Sequence, residues 1–202
     1  FELMSRTDDL TGLANRRRLD QRLTEEFALA LRHGRPLAVA IADIDHFKAV
    51  NDRFSHAVGD AALRGLAKLL MSQVRHTDLV ARFGGEEFAV VMRCAARENA
   101  AQAFERLRGN VQAYVFPQVG GITVSVGYTE VHAGDTPSGA FQRADTALYW
   151  AKNHGRNQVC SHADLLVSGI GHGAVRVWSE DGRLLAVGSQ TARMFTYDEF
   201  IA

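Results

Sequence analysis

The stretch VARFGGEEFAVVM, Val80–Met92, decides the fold. Apolar residues flank Gly84-Gly85, so it reads as two strands around a tight glycine turn. Upstream, RPLAVAIADID contains an apolar run best read as a buried strand, Leu37–Ile44, with Pro36 at its edge. Between these strands, HFKAVNDRFSHAVGDAALRGLAKLLMSQVR reads as a short helix, a loop at Ser55–Gly59 and a longer helix. Before them, Leu19, Leu23, Phe27, Ala30 and Leu31 recur at helical spacing until Gly34.

After the hairpin, Ala100, Ala103, Phe104, Leu107 and Val111 mark one face of a further helix. GGITVSVGYTEV is rich in β-branched residues and reads as a strand. A last long helix starts near Ser138, with Gly155 as its stop. A central hairpin among helices breaks strict βαβ alternation. The expected fold class is therefore α+β, a split-βαβ, ferredoxin-like sheet wrapped by helices. Beyond Cys160 a second hairpin is expected, with strands Ala174–Trp178 and Leu184–Gln190 around Asp181-Gly182. One hairpin builds no core of its own. It must pack on the main domain, pair with another chain or be left over from a partner domain.

The totals bound the function. The 202 residues suit one domain plus an extra element, and 47% apolar with 23% charged residues excludes a disordered chain. Lys plus Arg and Asp plus Glu each number 23, so no global field draws in a nucleic acid polymer or a membrane. Any anion site must be local. Cys94 and Cys160 form no metal or redox spacing, which fits a reducing cytoplasm. No apolar run approaches the roughly 20 residues of a membrane span, and no signal peptide is legible. The opening, FELMSRTDDL, reads as a piece of something longer.

The chemistry begins with Asp43 and Asp45. Two residues apart on a strand, they share a face, and buried carboxylates need a counter-charge, a metal or donors. The plainer alternative places both acids past the strand end, solvated or capping the next helix. If the hairpin lies beside Leu37–Ile44, Glu86 and Glu87 gather near Asp43, and a hard divalent cation suits such a group together with substrate phosphates. Alone, GGEE is also a common solvated turn. Lys48 lies five residues after Asp43, on the first turn of the following helix. Lys152 and Arg156 share a helix face and either meet an anion or complement the helix dipole.

Five stretches resemble the GGDEF domain, the diguanylate cyclase family. They are DDLTGLANRR (Asp8–Arg17), DIDHFKAVNDRFSHAVGD (Asp43–Asp60), RFGGEEF (Arg82–Phe88), VSVG (Val124–Gly127) and ADTALYWAKNHGRN (Ala144–Asn157). They occur in family order across residues 1–160, and GGEEF is an accepted active form of the signature. The resemblance implies a nucleotide-cyclase palm-type sheet. It also implies condensation of two GTP into cyclic di-GMP with release of pyrophosphate. By position, Asp43, the Ile44 carbonyl and Glu86 would hold Mg²⁺ or Mn²⁺, with Glu87 beside them as a further signature acid. Asn51 and Asp60 would bind the guanine edge. Lys48, Lys152 and Arg156 would meet phosphates, and Gly84 and Gly85 would let backbone pass close to the nucleotide. Glu86, Glu87 and Lys48 form the expected catalytic set.

The family resemblance carries three further expectations. Each half-site holds one GTP, so catalysis should need a homodimer. Arg75 and Asp78, an R-x-x-D pattern with five residues between Asp78 and Gly84, and Arg106 would form an inhibitory cyclic di-GMP site. The plain alternative is a surface Arg–Asp pair worth under ~1 kcal/mol. The expected location is the cytoplasm, as a domain of a larger sensor. A competing class is a catalytically inactive cyclic di-GMP receptor. His46, His56 and His76 lie among polar residues and are read as solvated, and Trp150 as packing. Residues 161–202 resemble only the closing strands of hot-dog acyl-CoA thioesterases, and they carry no activity assignment.

Overall fold

The structure, a computed structural model, describes residues 5–93, 97–167, 170–178 and 184–193. The chain separates into two compact units, Phe1–Ser161 and His162–Ala202. In the first, α1 (Arg16–His33), β1 (Leu37–Ile44), α2 (Phe47–Phe54), α3 (His56–Gln73), β2 (Leu79–Arg82) and β3 (Glu87–Arg93) follow in order. Then come α4 (Arg97–Ala113), β4 (Val115–Phe116), β5 (Gly120–Gly121), β6 (Val124–Glu130), α5 (Pro137–Asn153) and β7 (Val159–Ser161).

The main sheet has the order β2-β3-β1-β6-β7, with β1 antiparallel to both β3 and β6. β1 is buried along its whole length, which its unbroken apolar run requires. Its two faces divide by period two. Ala38, Ala40, Ala42 and Ile44 join a core with Leu63, Leu66 and Leu70 of α3 and Phe104 and Leu107 of α4. Leu37 and Val39 join Leu19, Leu23 and Phe27 of α1, while Ile41 meets Ala144 and Leu148 of α5. Two split-βαβ crossovers thus cover one face, and α1 and α5 cover the other, as the hairpin in mid-chain implies. Buried Glu26 of α1 is held by Arg22 at 3.0 Å and Arg93 at 2.8 Å, which fastens α1 to β3.

Three local expectations differ from the structure. The glycine turn is a four-residue loop, 83–86, because the Phe83 and Gly84 N–H groups both turn back to the Glu87 carbonyl. The break between α2 and α3 is Ser55 alone, at φ 96°, and Gly59 lies inside α3. GGITVSVGYTEV is split: Gly120–Gly121 pairs with Val115–Phe116 as a separate ribbon before β6 begins. A short strand, β7, runs parallel to β6 at the sheet edge.

The second unit holds α6 (His162–Val167), β8 (Ile170–Trp178) and β9 (Leu184–Arg193). β8 and β9 pair antiparallel, longer than the expected strands, with a register shift at Val177/Trp178. The Asp181-Gly182 turn lies outside the described residues. Among the described residues no helix is long and apolar enough to cross a membrane.

Candidate active site

Register brings the acids together. Asp43, near the end of β1, is paired across the ladder with Glu87, the first residue of β3. Directly paired residues share a face, so both point to the α1/α5 side. The next rung is closed by the Ile44 N–H donating to the Glu86 carbonyl at 3.4 Å. From α5, Lys152 Nζ reaches Asp43 Oδ2 at 2.6 Å. Gly127 permits this close approach: a Cβ there would lie 2.0 Å from the Leu148 nitrogen and 2.2 Å from the Ala144 carbonyl oxygen of α5.

Asp43 is buried, and its Oδ1 has no hydrogen-bond partner among the described residues. Burial raises its pKa, opposed by the Lys152 contact and by the Arg156 charge. Burial also raises Glu86 and Glu87, and the Asp43 charge pushes both further the same way. Three carboxyls therefore resist ionising together beside one ammonium group. No three His, Cys, Asp or Glu side chains among the described residues form a ready metal cage. What is present is a half-shell: one orphaned carboxylate oxygen, the neighbouring Glu86 and an open side. That donor set fits Mg²⁺ or Mn²⁺, which take one or two carboxylates and complete the shell with water and phosphate.

Asp45 is different from the expectation that grouped it with Asp43. It lies one residue past β1, and its carboxylate accepts from Thr123 Oγ1 and Ser125 Oγ, both at 2.7 Å, and from the Asn157 N–H at 3.0 Å. Its burial is met by donors, so it needs no cation.

At Gly84 a Cβ would fall 2.2 Å from Glu87 Oε2, so a larger residue would displace that carboxylate; Gly85 faces open space. Neither has the left-handed backbone of a two-residue hairpin turn. The loop is instead pinned by Arg82, which donates to the Gly85 carbonyl at 2.7 and 3.2 Å and forks onto both Asp8 oxygens at 3.2 Å. Asp8 also accepts from the Thr11 N–H and hydroxyl at 2.9 and 2.6 Å. Burial pushes the Asp8 pKa up, and these donors outweigh it and hold it below the usual aspartate range. Arg82, Gly59 and Gly127 are site-building residues to which the sequence reading gave no role. Only the contact each makes across the fold marks them.

On the other side of β1, Gly59 of α3 sits against Asn51 of α2, where a Cβ would lie 1.9 Å from Asn51 Oδ1. Asp60 follows Gly59, so the two proposed guanine-reading residues are set by one close helix contact. Lys48 is exposed in the first turn of α2, and Arg156 is exposed in the turn after α5. On the α1/α5 face a cleft of about 540 Å³ opens, with Arg16, Ile41, Phe83, Glu87, Phe141 and Asp145 among its walls. It reaches the acids only through Glu87, and Asn51, Asp60 and Lys48 lie outside it.

The R-x-x-D pattern is not a side-chain pair. The Asp78 carboxylate accepts from the backbone N–H groups of Arg75 at 2.9 Å and Arg93 at 3.1 Å. Arg75 is exposed and forms no ion pair among the described residues. Arg106 is exposed on α4.

The model of the family described as "Diguanylate cyclase, GGDEF domain" matches residues 5–158. This chain belongs to the GGDEF family. Diguanylate cyclase DgcP of Pseudomonas aeruginosa is 44% identical over 156 residues, covering 76% of this chain and 23% of that protein. Response regulator PleD of Caulobacter vibrioides is 41% identical over 163 residues, covering 78% and 36%. The chain thus spans about a quarter to a third of these relatives' length. Among solved structures, the GGDEF domain of DgcB from Caulobacter crescentus in complex with c-di-GMP aligns at TM-score 0.76 and 35% identity, covering 81% of this chain and 99% of that one. The active GGEEF domain of a Vibrio cholerae diguanylate cyclase aligns at TM-score 0.71 and 38% identity, covering 74% and 97%. Within the matched residues, GGEEF at 84–88 spans the loop and the start of β3, where Glu87 is paired with Asp43.

Proposed function

We propose that the domain condenses two GTP into cyclic di-GMP and that Asp43, Glu86 and Glu87 form its reaction centre. The observation that carries this is the orphaned Asp43 oxygen beside two carboxyls of raised pKa. Perturbed groups clustered at the end of a strand support reading it as a working site. Bound there, a divalent cation would polarise the α-phosphoryl group and favour the 3′-alkoxide. The Ile44 carbonyl, at the same strand end, would complete the protein's share of the donors.

The chain's own residues do the rest. Asn51 and Asp60 read the guanine, the Asp60 carboxylate accepting from N1–H and the exocyclic amine. Lys48, Lys152 and Arg156 bind the phosphates. Lys152 neutralises Asp43 until substrate arrives, so its role begins as a counter-ion. The 3′-oxygen forms a bond to the α-phosphorus, the bond to the β-phosphate oxygen breaks, and pyrophosphate leaves with that electron pair. Glu87, its pKa raised, is suited to take the 3′-hydroxyl proton. Repeating the step with the partner nucleotide closes the ring. Positioning and electrostatics supply most of the catalysis.

Product inhibition is assigned to Arg75 and Arg106, whose guanidinium groups suit a guanine edge or a phosphate. Asp78 is already engaged by two backbone donors, so it fixes the turn that presents Arg75. Incubation with GTP and Mg²⁺ should yield cyclic di-GMP and pyrophosphate by mass. Tight product binding with no synthesis at high protein concentration would instead identify a receptor. Arg75→Ala should relieve inhibition without slowing turnover.

A further inference from the structure

The turn after α5 is held in a backbone form that side-chain-bearing residues avoid. Gly155 has φ 110°, Arg156 58° and Asn157 43°. Two consecutive non-glycine residues in this region persist only where surrounding contacts over-determine them. Those contacts are present on three sides. Gln158 Nε2 donates to the Ala151 and His154 carbonyls at 2.9 and 2.6 Å, closing the end of α5. The Asn157 N–H donates to buried Asp45 at 3.0 Å. Asn157 Oδ1 accepts from Arg108 of α4 at 2.7 Å, and Arg108 is itself fixed by Glu105 at 2.8 Å and Gln112 at 2.7 Å.

The residue these contacts flank is Arg156. Asp45, at the centre, also binds Thr123 and Ser125 and lies two residues from Asp43. One buried carboxylate therefore holds both the acid-bearing strand end and the turn that presents an arginine. We infer that Asp45, Asn157 and Arg108 form a positioning relay that fixes Arg156 at the phosphate end of the nucleotide site. This sets GTP affinity through residues that never touch the nucleotide. The inference rests on the cyclase reading above. It predicts an effect confined to phosphate binding, which a merely structural tie would not give.

The test is calorimetric titration of the full chain with 3′-deoxy-GTP, which lacks the attacking hydroxyl, and with guanosine, which lacks the phosphates. Arg108→Ala and Asn157→Gly should each weaken 3′-deoxy-GTP binding about tenfold, the scale of one hydrogen bond to a charged group. Guanosine binding should stay within about twofold on the same scale. Asn157→Gly keeps the left-handed turn accessible while removing the Arg108 link, so its loss reports the link and not backbone strain. Arg108→Lys, which retains a donor, should recover part of the affinity. Binding of 3′-deoxy-GTP unchanged in both variants overturns the relay, as does an equal loss for guanosine. Failure of Arg108→Lys to recover any affinity would reduce Arg108 to packing and remove it from the relay. If the wild-type chain binds guanosine but not 3′-deoxy-GTP, the cyclase reading fails and the relay with it.

Discussion

At the scale of the residue, Asp43 sets the behaviour of the site. Its pKa is raised by burial against the pull of Lys152, and Glu86 and Glu87 are raised by burial and by Asp43. A carboxyl with a raised folded pKa stabilises the fold while protonated. That contribution is full below about pH 4, the ordinary carboxylate range, and is lost as pH rises through the raised folded values. At neutral pH the crowding of these acids opposes folding, and a divalent cation bound there, as proposed, would relieve them. Mg²⁺ should therefore raise the melting temperature at pH 7 to 8 by about 2–4 °C or more. It should do nothing near pH 4, and Asp43→Asn should abolish the rise. A scanning calorimeter decides it; equal stabilisation of Asp43→Asn by Mg²⁺ would sink the assignment. Gly59 gives a second test at this scale. Alanine is the better helix former by about 1 kcal/mol, yet its Cβ must displace the Asn51 amide. Gly59→Ala should leave melting nearly unchanged while KM for GTP rises roughly tenfold, the worth of one lost contact to the base. An unchanged KM would mean Asn51 does not read guanine.

At the scale of the element, the hairpin loop and the Asp8 turn work as one piece through Arg82. Its fork binds Asp8 and the Gly85 carbonyl at once, which a lysine point charge cannot do. Arg82→Lys should lower kcat about tenfold or more by loosening the loop that carries Glu86. Asp8 is held below its ordinary pKa, so its contribution is present above that value and lost as pH falls through the lowered one. Acid unfolding of Arg82→Lys should accordingly begin at higher pH than in the wild type, followed by circular dichroism. The same elements show what was legible beforehand. The apolar run of β1 and the mid-chain hairpin carry their own periodicity, so the split-βαβ sheet and the meeting of Asp43 with the signature acids could be read from pattern. β7 could not, because three residues, Val159–Ser161, gain strand character only by lying beside β6. The Lys152–Asp43 pair, the Arg82 fork and the three donors on Asp45 join residues between 74 and 112 positions apart, or meet only when α5 docks. Spacing along a chain carries no trace of such contacts. Asp45 was misgrouped for this reason: its donors come from β6, the residue before it and the turn after α5.

At the scale of the whole molecule, the proposed reaction makes this site one half of a two-copy centre. If, as proposed, one set of Asn51 and Asp60 reads one guanine of a product that contains two, the second nucleotide would come from another copy. Lys plus Arg equals Asp plus Glu, so two copies approach without net repulsion. The family match ends at residue 158 and the first compact unit at Ser161, which leaves the β8–β9 hairpin outside the matched domain. A chain ending at Ser161 should retain whatever turnover the full chain shows at equal concentration. In either chain, if two half-sites must face each other, the rate is second order in protein while monomer dominates and becomes first order once dimer saturates. Specific activity at saturating GTP should thus rise with concentration and then level off. The rise should track the dimer fraction measured by sedimentation at the same concentrations. A specific activity that stays flat across a hundredfold dilution of a monomeric protein, about two decades of mass action, would show that one chain completes both bonds alone. The paired half-sites, and the assignment of one guanine to each Asn51 and Asp60, would then have to be abandoned.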